Sequence, residues 1–200
     1  DEIYRIEDRG PDLARLRAWL IGEVRDRTVL EVAAGTGYWT AAAARAARRI
    51  VATDLNPEPL AMAAAKNPGP NVSFHIADAF DLPDLHEQPE LGMAHLWWSH
   101  VKRHDQARFL RHLSSRLRSG AGLLMIDQVF VPGHSSPISR YDDEGNGWQT
   151  RILANGALFQ IVKNYPDAET LERDLSVACT DIHVVTLTHF WAVSAVFRHG

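Results

Sequence analysis

The sequence predicts an α/β fold built on a doubly wound, largely parallel sheet. Two observations carry this. Apolar runs that close on an acid, Val29-Leu30-Glu31 and Ile50-Val51-Ala52-Thr53-Asp54, alternate with alanine- and leucine-rich segments of helical period. Between the first run and its helix stands a glycine turn, Gly35-Thr36-Gly37. A turn of this kind lets backbone amides approach a ligand at a helix N-terminus. Such alternation implies right-handed crossovers, with ligands outside the carboxyl ends of the strands.

The elements follow in order. Pro11 and Asp12 open a helix whose Leu13, Leu16, Leu20 and Val24 share one face. The first strand is 28–32 and its helix runs over 38–48. The second strand ends at Asp54, and Pro57 starts a helix through Lys66 that Asn67-Pro68-Gly69-Pro70 stops. Residues 71–76 and 91–98 read as strands three and four. A helix with Phe109, Leu110, Leu113 and Leu117 inward then leads, through Gly120 and Gly122, to a fifth strand over 123–130. Residues 131–148 form a long polar loop with Pro132, Gly133, Pro137, Gly145 and Gly147, a length typical of lids and binding loops. Residues 151–163 read as a β-hairpin around Asn155-Gly156, the expected turn dipeptide. A helix capped by Asp167, with Leu171 and Leu175 inward, precedes a final antiparallel pair over 182–187 and 190–197. One domain over residues 1–200 is the expectation, with 131–164 as lid loop and inserted hairpin.

Composition narrows the function classes. Acidic residues number 25 against 21 basic, a net charge of -4, so no general nucleic-acid footprint appears. The single cysteine, Cys179, cannot form an internal disulfide and suits a reducing compartment, the cytoplasm. The longest apolar stretch near the C-terminus, 184–197, is too short and too polar to span a bilayer, and no signal peptide is visible. The chain begins at Asp1 rather than Met, so an upstream segment is an open expectation.

Two cofactors compete for the turn. A dinucleotide site wants G-x-G-x-x-G/A, whose last small residue permits close packing at a pyrophosphate. Here that position is Thr40, and bulky Tyr38 and Trp39 would crowd a diphosphate. The other spacing is acid-x-G-x-G-x-G, read as Glu31, Ala33, Gly35 and Gly37. This pattern resembles motif I of the class I S-adenosylmethionine (SAM) methyltransferases, with alanine at the first glycine position. SAM has no phosphate and carries a sulfonium, an ammonium and a carboxylate. Glu31 would add negative potential near its cations, and Asp54 would reach the ribose hydroxyls. NAD remains the alternative cofactor.

The resemblance extends along the chain through Asp54-Leu55, Asp78-Ala79, Trp97-Trp98-Ser99-His100-Val101 and Leu117-Arg118-Ser119-Gly120. It implies a Rossmann-like sheet of seven strands completed by the terminal hairpin. It also implies cofactor contacts at Tyr4, Glu31, Ala33, Gly35, Asp54, Leu55, Asp78, Ala79 and Trp97, with a helix or turn cap as the alternative for Asp78, and with S-adenosylhomocysteine (SAH) as product and no metal. More narrowly, the Gly-Tyr-Trp-Thr turn, the Trp-x-x-His-Val segment and the inserted hairpin are similar to bacterial small-molecule methyltransferases of the phosphonate and small-acid O-methylating type.

Three residues are candidates for the chemistry. His100, just past strand four, is placed to act as a general base, with a helix-capping role as the alternative. Arg151 and Lys163 lie on opposite arms of the hairpin and are expected to converge as an anion clamp, joined by Arg140 from the loop, with ordinary surface charge as the alternative. Trp97, Trp98, Trp148 and Tyr165 are candidate pocket walls. His95 reads as a satisfied core histidine, and His104 and His112 as solvated helix residues. The partner expected is a small, anionic acceptor. A hydroxyl or amine acceptor served by His100, an NAD-linked oxidoreductase and a non-catalytic SAM-binding protein are the alternatives.

Overall fold

A computed structural model describes residues 4–85, 87–152 and 156–198. A helix, α1 (Gly10–Glu23), precedes five strands with three intervening helices: β1 (Thr28–Val32), α2 (Tyr38–Ala43), β2 (Arg49–Asp54), α3 (Pro57–Ala65), β3 (Val72–Ile76), β4 (Leu91–His95), α4 (Arg103–Ser115) and β5 (Gly122–Gln128). An inserted sheet follows, β6 (Arg140–Tyr141), β7 (Gly147–Ile152) and β8 (Leu158–Val162), then α5 (Ala168–Leu175), β9 (Cys179–Thr186) and β10 (Phe190–Phe197). The main sheet has the order β3-β2-β1-β4-β5-β10-β9, parallel from β3 to β5, with β10 antiparallel to both neighbours. This is the seven-stranded, Rossmann-like α/β architecture that the element order predicts.

Strand alternation sends side chains to two buried faces, as a parallel sheet covered on both sides requires. Val29, Ile50, Leu91, Met93, Leu124 and Ile126 pack with α1 and α2 through Leu13, Leu16, Leu20 and Trp39. Leu30, Val32, Ala94, Leu123 and Met125 face α4 and α5, where Phe109, Leu110, Leu113, Leu171 and Leu175 recur at helical spacing. Asp167 caps α5 by accepting from the Thr170 amide at 2.9 Å. Cys179 is buried, and burial pushes its thiol up to about 12.

Four boundaries differ from expectation, each for a tertiary reason. The helix after the glycine turn ends at Ala43 instead of Arg48, because carbonyls beyond it serve other partners. Asp26 N takes Ala46 O, and Asn71 Nδ2 takes Ala44 O and Ala47 O. Strand four stops at His95, where Leu96 turns left-handed (φ 54°) and Trp98–His100 form a 3-10 turn. The inserted unit has three strands: β7 starts at Gly147 and pairs with β6 inside the expected loop. The Asn155-Gly156 turn dipeptide has its Asn155 outside the described residues. Finally, β9 begins at Cys179, with a register shift opposite Ser194 and Val196 that alternation alone does not reveal.

Among the described residues, 77–85 and 87–90 join β3 to β4 without a helix, and Leu82 is held against α4 instead. The Leu82 amide donates to His112 Nε2 at 2.7 Å, and Arg116 Nε donates to Leu82 O at 2.8 Å. His112 is therefore a structural acceptor rather than a solvated residue. His104 is exposed and pairs with Glu144 at 2.5 Å.

Candidate active site

The glycine turn is braced by the acid that the spacing singled out. Asp54 Oδ2 accepts from the Gly35 amide at 2.8 Å, and Oδ1 accepts from the Asn56 amide at 2.9 Å. One carboxylate thus shapes both loops that would flank a ribose. Gly37 has φ 76°, and a Cβ there would lie 2.7 Å from Ala63 Cβ, so only glycine fits. Ala33, at the motif's first glycine position, adopts φ 52°. A left-handed alanine costs roughly 1–2 kcal/mol, strain stored beside the site.

Glu31 is buried at the end of β1, with Oε2 accepting from Thr40 Oγ1 at 2.6 Å. Burial, assisted by the Asp54 carboxylate and opposed by Thr40, pushes it up to about 8. A carboxyl so placed gains most from a cationic neighbour, which is what the ammonium and sulfonium of SAM supply. In the ligand-free protein the folded pKa lies above the unfolded value of about 4.3, so the fold favours protonated Glu31. Its contribution is full below about pH 4.3 and is lost as pH rises to about 8, at up to about 1.4 kcal/mol per pH unit. Chemical denaturation at pH 5 and pH 8 is expected to show a larger fall for the parent than for Glu31→Gln; equal falls would refute this account.

The Tyr4 ring stacks on Tyr38 at 3.6 Å, and burial raises its hydroxyl, with the Glu31 and Asp127 carboxylates adding to the effect. Leu55 is exposed, an apolar side chain in the open beside Asp54. Asp78 is exposed and closes an Asx turn, Oδ1 accepting from the Phe80 amide at 2.9 Å, while Ala79 behind it is buried. Trp97 packs between Phe80 and Phe109, and its buried Nε1 has no hydrogen-bond partner among the described residues. His95 is buried, but it is not satisfied: neither ring nitrogen has a hydrogen-bond partner among the described residues. Its ring meets Trp39 at 5.5 Å, and burial pushes it down to about 3. A left-handed Leu96, orphaned polar atoms on Trp97 and His95 and the buried Glu31 together fit a polar, cationic ligand at the strand ends.

His100 donates from Nδ1 to Val162 O at 2.8 Å. A carbonyl only accepts, so the neutral ring carries its proton on Nδ1 and its lone pair on Nε2. Burial and then the Lys163 charge push its pKa down, against Asp127 and the Val162 carbonyl. The imidazole is neutral at pH 7, as a base must be.

The anion clamp takes a different form from the expected one. Lys163 is buried, donating from Nζ to Ser99 Oγ at 2.7 Å and to Asp127 Oδ1 at 3.2 Å. Its charge is consumed internally, because the β8 strand turns it toward β5 rather than toward Arg151. Asp127 also accepts from the Ser99 amide at 2.9 Å and the Gln128 amide at 2.7 Å. Burial raises this carboxyl, but Lys163, His100 and the two amides outweigh it and hold it below its ordinary value. Arg140 also departs from the expectation, lying 4.4 Å over the Trp148 ring with its guanidinium on Gln160.

Arg151, without Lys163 beside it, lines a polar cavity. Its guanidinium donates to Ser136 Oγ at 3.0 Å and Gln149 Oε1 at 2.8 Å. The cavity, about 400 Å³, is also lined by Arg9, His134, Ser135, Ser136 and Tyr165. Of the candidate walls, Tyr165 lines it, Trp98 is core, and Trp148 supports Arg140 and bonds Asp142. Arg9, Ser135 and Ser136 were missed, because an N-terminal turn and a proline-rich loop carry no periodic signal. Among the described residues no helix is long and apolar enough to cross a membrane, and no three His, Cys, Asp or Glu side chains cluster as a metal site.

Comparison with known proteins bears on this geometry. Residues 29–120 match a family model described as a Methyltransferase domain. Two solved complexes of one protein resemble the chain closely: DhpI with SAH (27% identity, 94% of this chain and 82% of that one, TM-score 0.73) and DhpI with SAM and HEP (26% identity, 97% and 89%, TM-score 0.74). A SAM-dependent methyltransferase from Mesorhizobium loti shares the fold at 19% identity over 91% of this chain and 96% of its own (TM-score 0.65). No curated protein sequence matches the chain. With the braced glycine turn and a buried acid suited to a sulfonium ligand, these likenesses identify the chain as an S-adenosylmethionine-dependent methyltransferase.

Proposed function

We propose that the protein methylates an oxygen of a small acid held in the cavity that Arg9 and Arg151 line. The observation that carries this reading is the charge of that lining: two arginines, two serines and Tyr165, with no Asp or Glu among the described residues. Arginine's planar fork matches a carboxylate or phosphonate. DhpI, which this chain resembles at 26% identity, was solved as a complex with SAM and HEP together.

The cofactor supplies an activated methyl group, and transfer to an acceptor oxygen breaks the carbon–sulfur bond to leave a neutral thioether. The protein's own work is positioning and water exclusion. Glu31 and the turn at Ala33 and Gly35 would hold the methionine part, Asp54 and Leu55 the ribose, and Asp78, Ala79 and Trp97 the adenine side, with Tyr4 as cover. Arg151 orients the acceptor anion. The segment 131–164 serves as lid within one domain, and the lone buried thiol suits the cytoplasm.

An acid oxygen is ionised at pH 7 and needs orientation more than a base. A hydroxyl or amine acceptor is the second reading, favoured by the neutral His100 imidazole with its lone pair on Nε2. Turnover of labelled SAM with a panel of small phosphonates and carboxylates separates the two. Arg151→Ala is expected to cut kcat/KM roughly 100-fold, for loss of a charged hydrogen-bond pair worth about 3 kcal/mol. His100→Ala should cost less; the reverse ranking sinks the acid reading.

A further inference from the structure

We propose that Asp127 and Lys163 are a buried positioning pair that seats the inserted sheet on the end of β5 and sets both the placement and the electrostatic field of the His100 imidazole. His100 sits on a short 3-10 turn closed by its own backbone, His100 N to Trp97 O at 2.8 Å and Val101 N to Trp98 O at 3.1 Å. The groups that tie this turn to the rest of the fold come from β5 and from the end of β8. Ser99, its neighbour, is gripped at three atoms: its amide by Asp127 Oδ2 at 2.9 Å, its hydroxyl by Lys163 Nζ at 2.7 Å, and its carbonyl by the Asn164 amide at 2.8 Å. The imidazole itself bonds Val162 O, the residue before Lys163. The Lys163, Asn164 and Val162 contacts span the junction between the main sheet and the insertion, and Asp127 meets Lys163 there with both side chains buried.

A buried ion pair contributes little net stability over an apolar pair of the same shape, so its value here is in geometry and charge. The charged groups facing His100 are Asp127 from β5, Lys163 from the end of β8 and Arg151 from β7. Asp127 favours the imidazolium, whereas Lys163 and Arg151 oppose it. While the pair is intact its two fields partly cancel at the ring, and removal of either partner exposes the other. A residue that merely packs would not move the ring's titration in opposite directions when its two halves are replaced.

The test is an NMR titration of ring-labelled histidine in the whole protein, with His100→Asn to assign the signal. Lys163→Met is expected to raise the His100 midpoint by about one pH unit, and Asp127→Asn to lower it. The Asp127→Asn/Lys163→Met double variant should return it between the two. SAH affinity, read by calorimetry, is expected to stay within about threefold of the parent and reports that each variant is folded. Midpoints that shift the same way, or not at all, overturn the proposal. If a single variant does not fold, the double variant and Ser99→Ala decide it: a parent-like midpoint with kcat lowered at unchanged cofactor KM supports the pair, and an unchanged kcat in both refutes it. The catalytic part rests on the reading of His100 as a base near the acceptor. A His100→Asn enzyme of parental kcat, combined with opposite midpoint shifts, would remove the base and leave the pair's effect on the ring standing.

Discussion

Asp54→Ala is expected to weaken SAH binding at least about 100-fold, with the fold otherwise retained. Two losses combine. The carboxylate that would meet the ribose hydroxyls disappears, at roughly 1.5–3 kcal/mol for each charge-assisted bond. The amides of Gly35 and Asn56 also lose the acceptor that shapes their loops. Asp54→Asn keeps one acceptor oxygen and should fall between the two. Calorimetric titration at pH 7 measures the effect, and a parental dissociation constant in Asp54→Ala would overturn the assignment of this carboxylate to the cofactor. The same mutant should leave the stability of the ligand-free protein within about 2 kcal/mol, because Asp54 lies at a strand end rather than in the packed layers.

The second large effect is on stability. Lys163→Met alone is expected to lower the unfolding free energy by about 3–5 kcal/mol, since it leaves the Asp127 carboxylate buried without its cation. Replacing Asp127 by leucine should cost a similar amount, for it strands Lys163 and the Ser99 and Gln128 amides. The double variant should lose far less than the two single losses together, because neither charge is then left alone. The parent's Asp127 contribution has a definite sign with pH. Its folded pKa lies below the unfolded value of about 3.9, so the stabilisation is present above that pH and is lost as pH falls through the folded pKa. Urea denaturation of the four proteins at pH 7 gives the cycle, and additive losses would show that the two residues act independently.

Much of the candidate site is legible in short segments of the sequence, for local reasons. Glu31, Gly35 and Gly37 occupy a strand–turn–helix whose geometry is dictated within a few residues: a left-handed turn needs glycine, and a parallel strand ends facing the ligand side. Asp54 was legible because the next parallel strand lies beside the first, in a register that brings Ala52 opposite Glu31. The position of His100 followed from the end of strand four by the same rule, although the strand itself stops earlier than its apolar run. An apolar run marks what is buried, and Trp98 is core in a 3-10 turn as fully as it would be in a strand.

The partners of long side chains were not legible in this way. Lys163 and Arg151 look alike in sequence, two cations on the arms of one hairpin, yet one is buried against Asp127 and the other lines a polar cavity. Which way each points depends on how a three-stranded insertion docks on β5, a contact between residues far apart in the chain. Asp127 could be named as a strand-end acid, but not as the group that holds His100's turn. Arg9 and the serines of the 131–139 loop reach the cavity only through chain closure. By itself the sequence determined the layered α/β order, the glycine turn and its two acids, because periodicity and backbone conformation are properties of short segments. The tertiary structure alone decided which charges are spent internally and which face a ligand, because desolvation and ion pairing are set by neighbours that only the complete fold supplies.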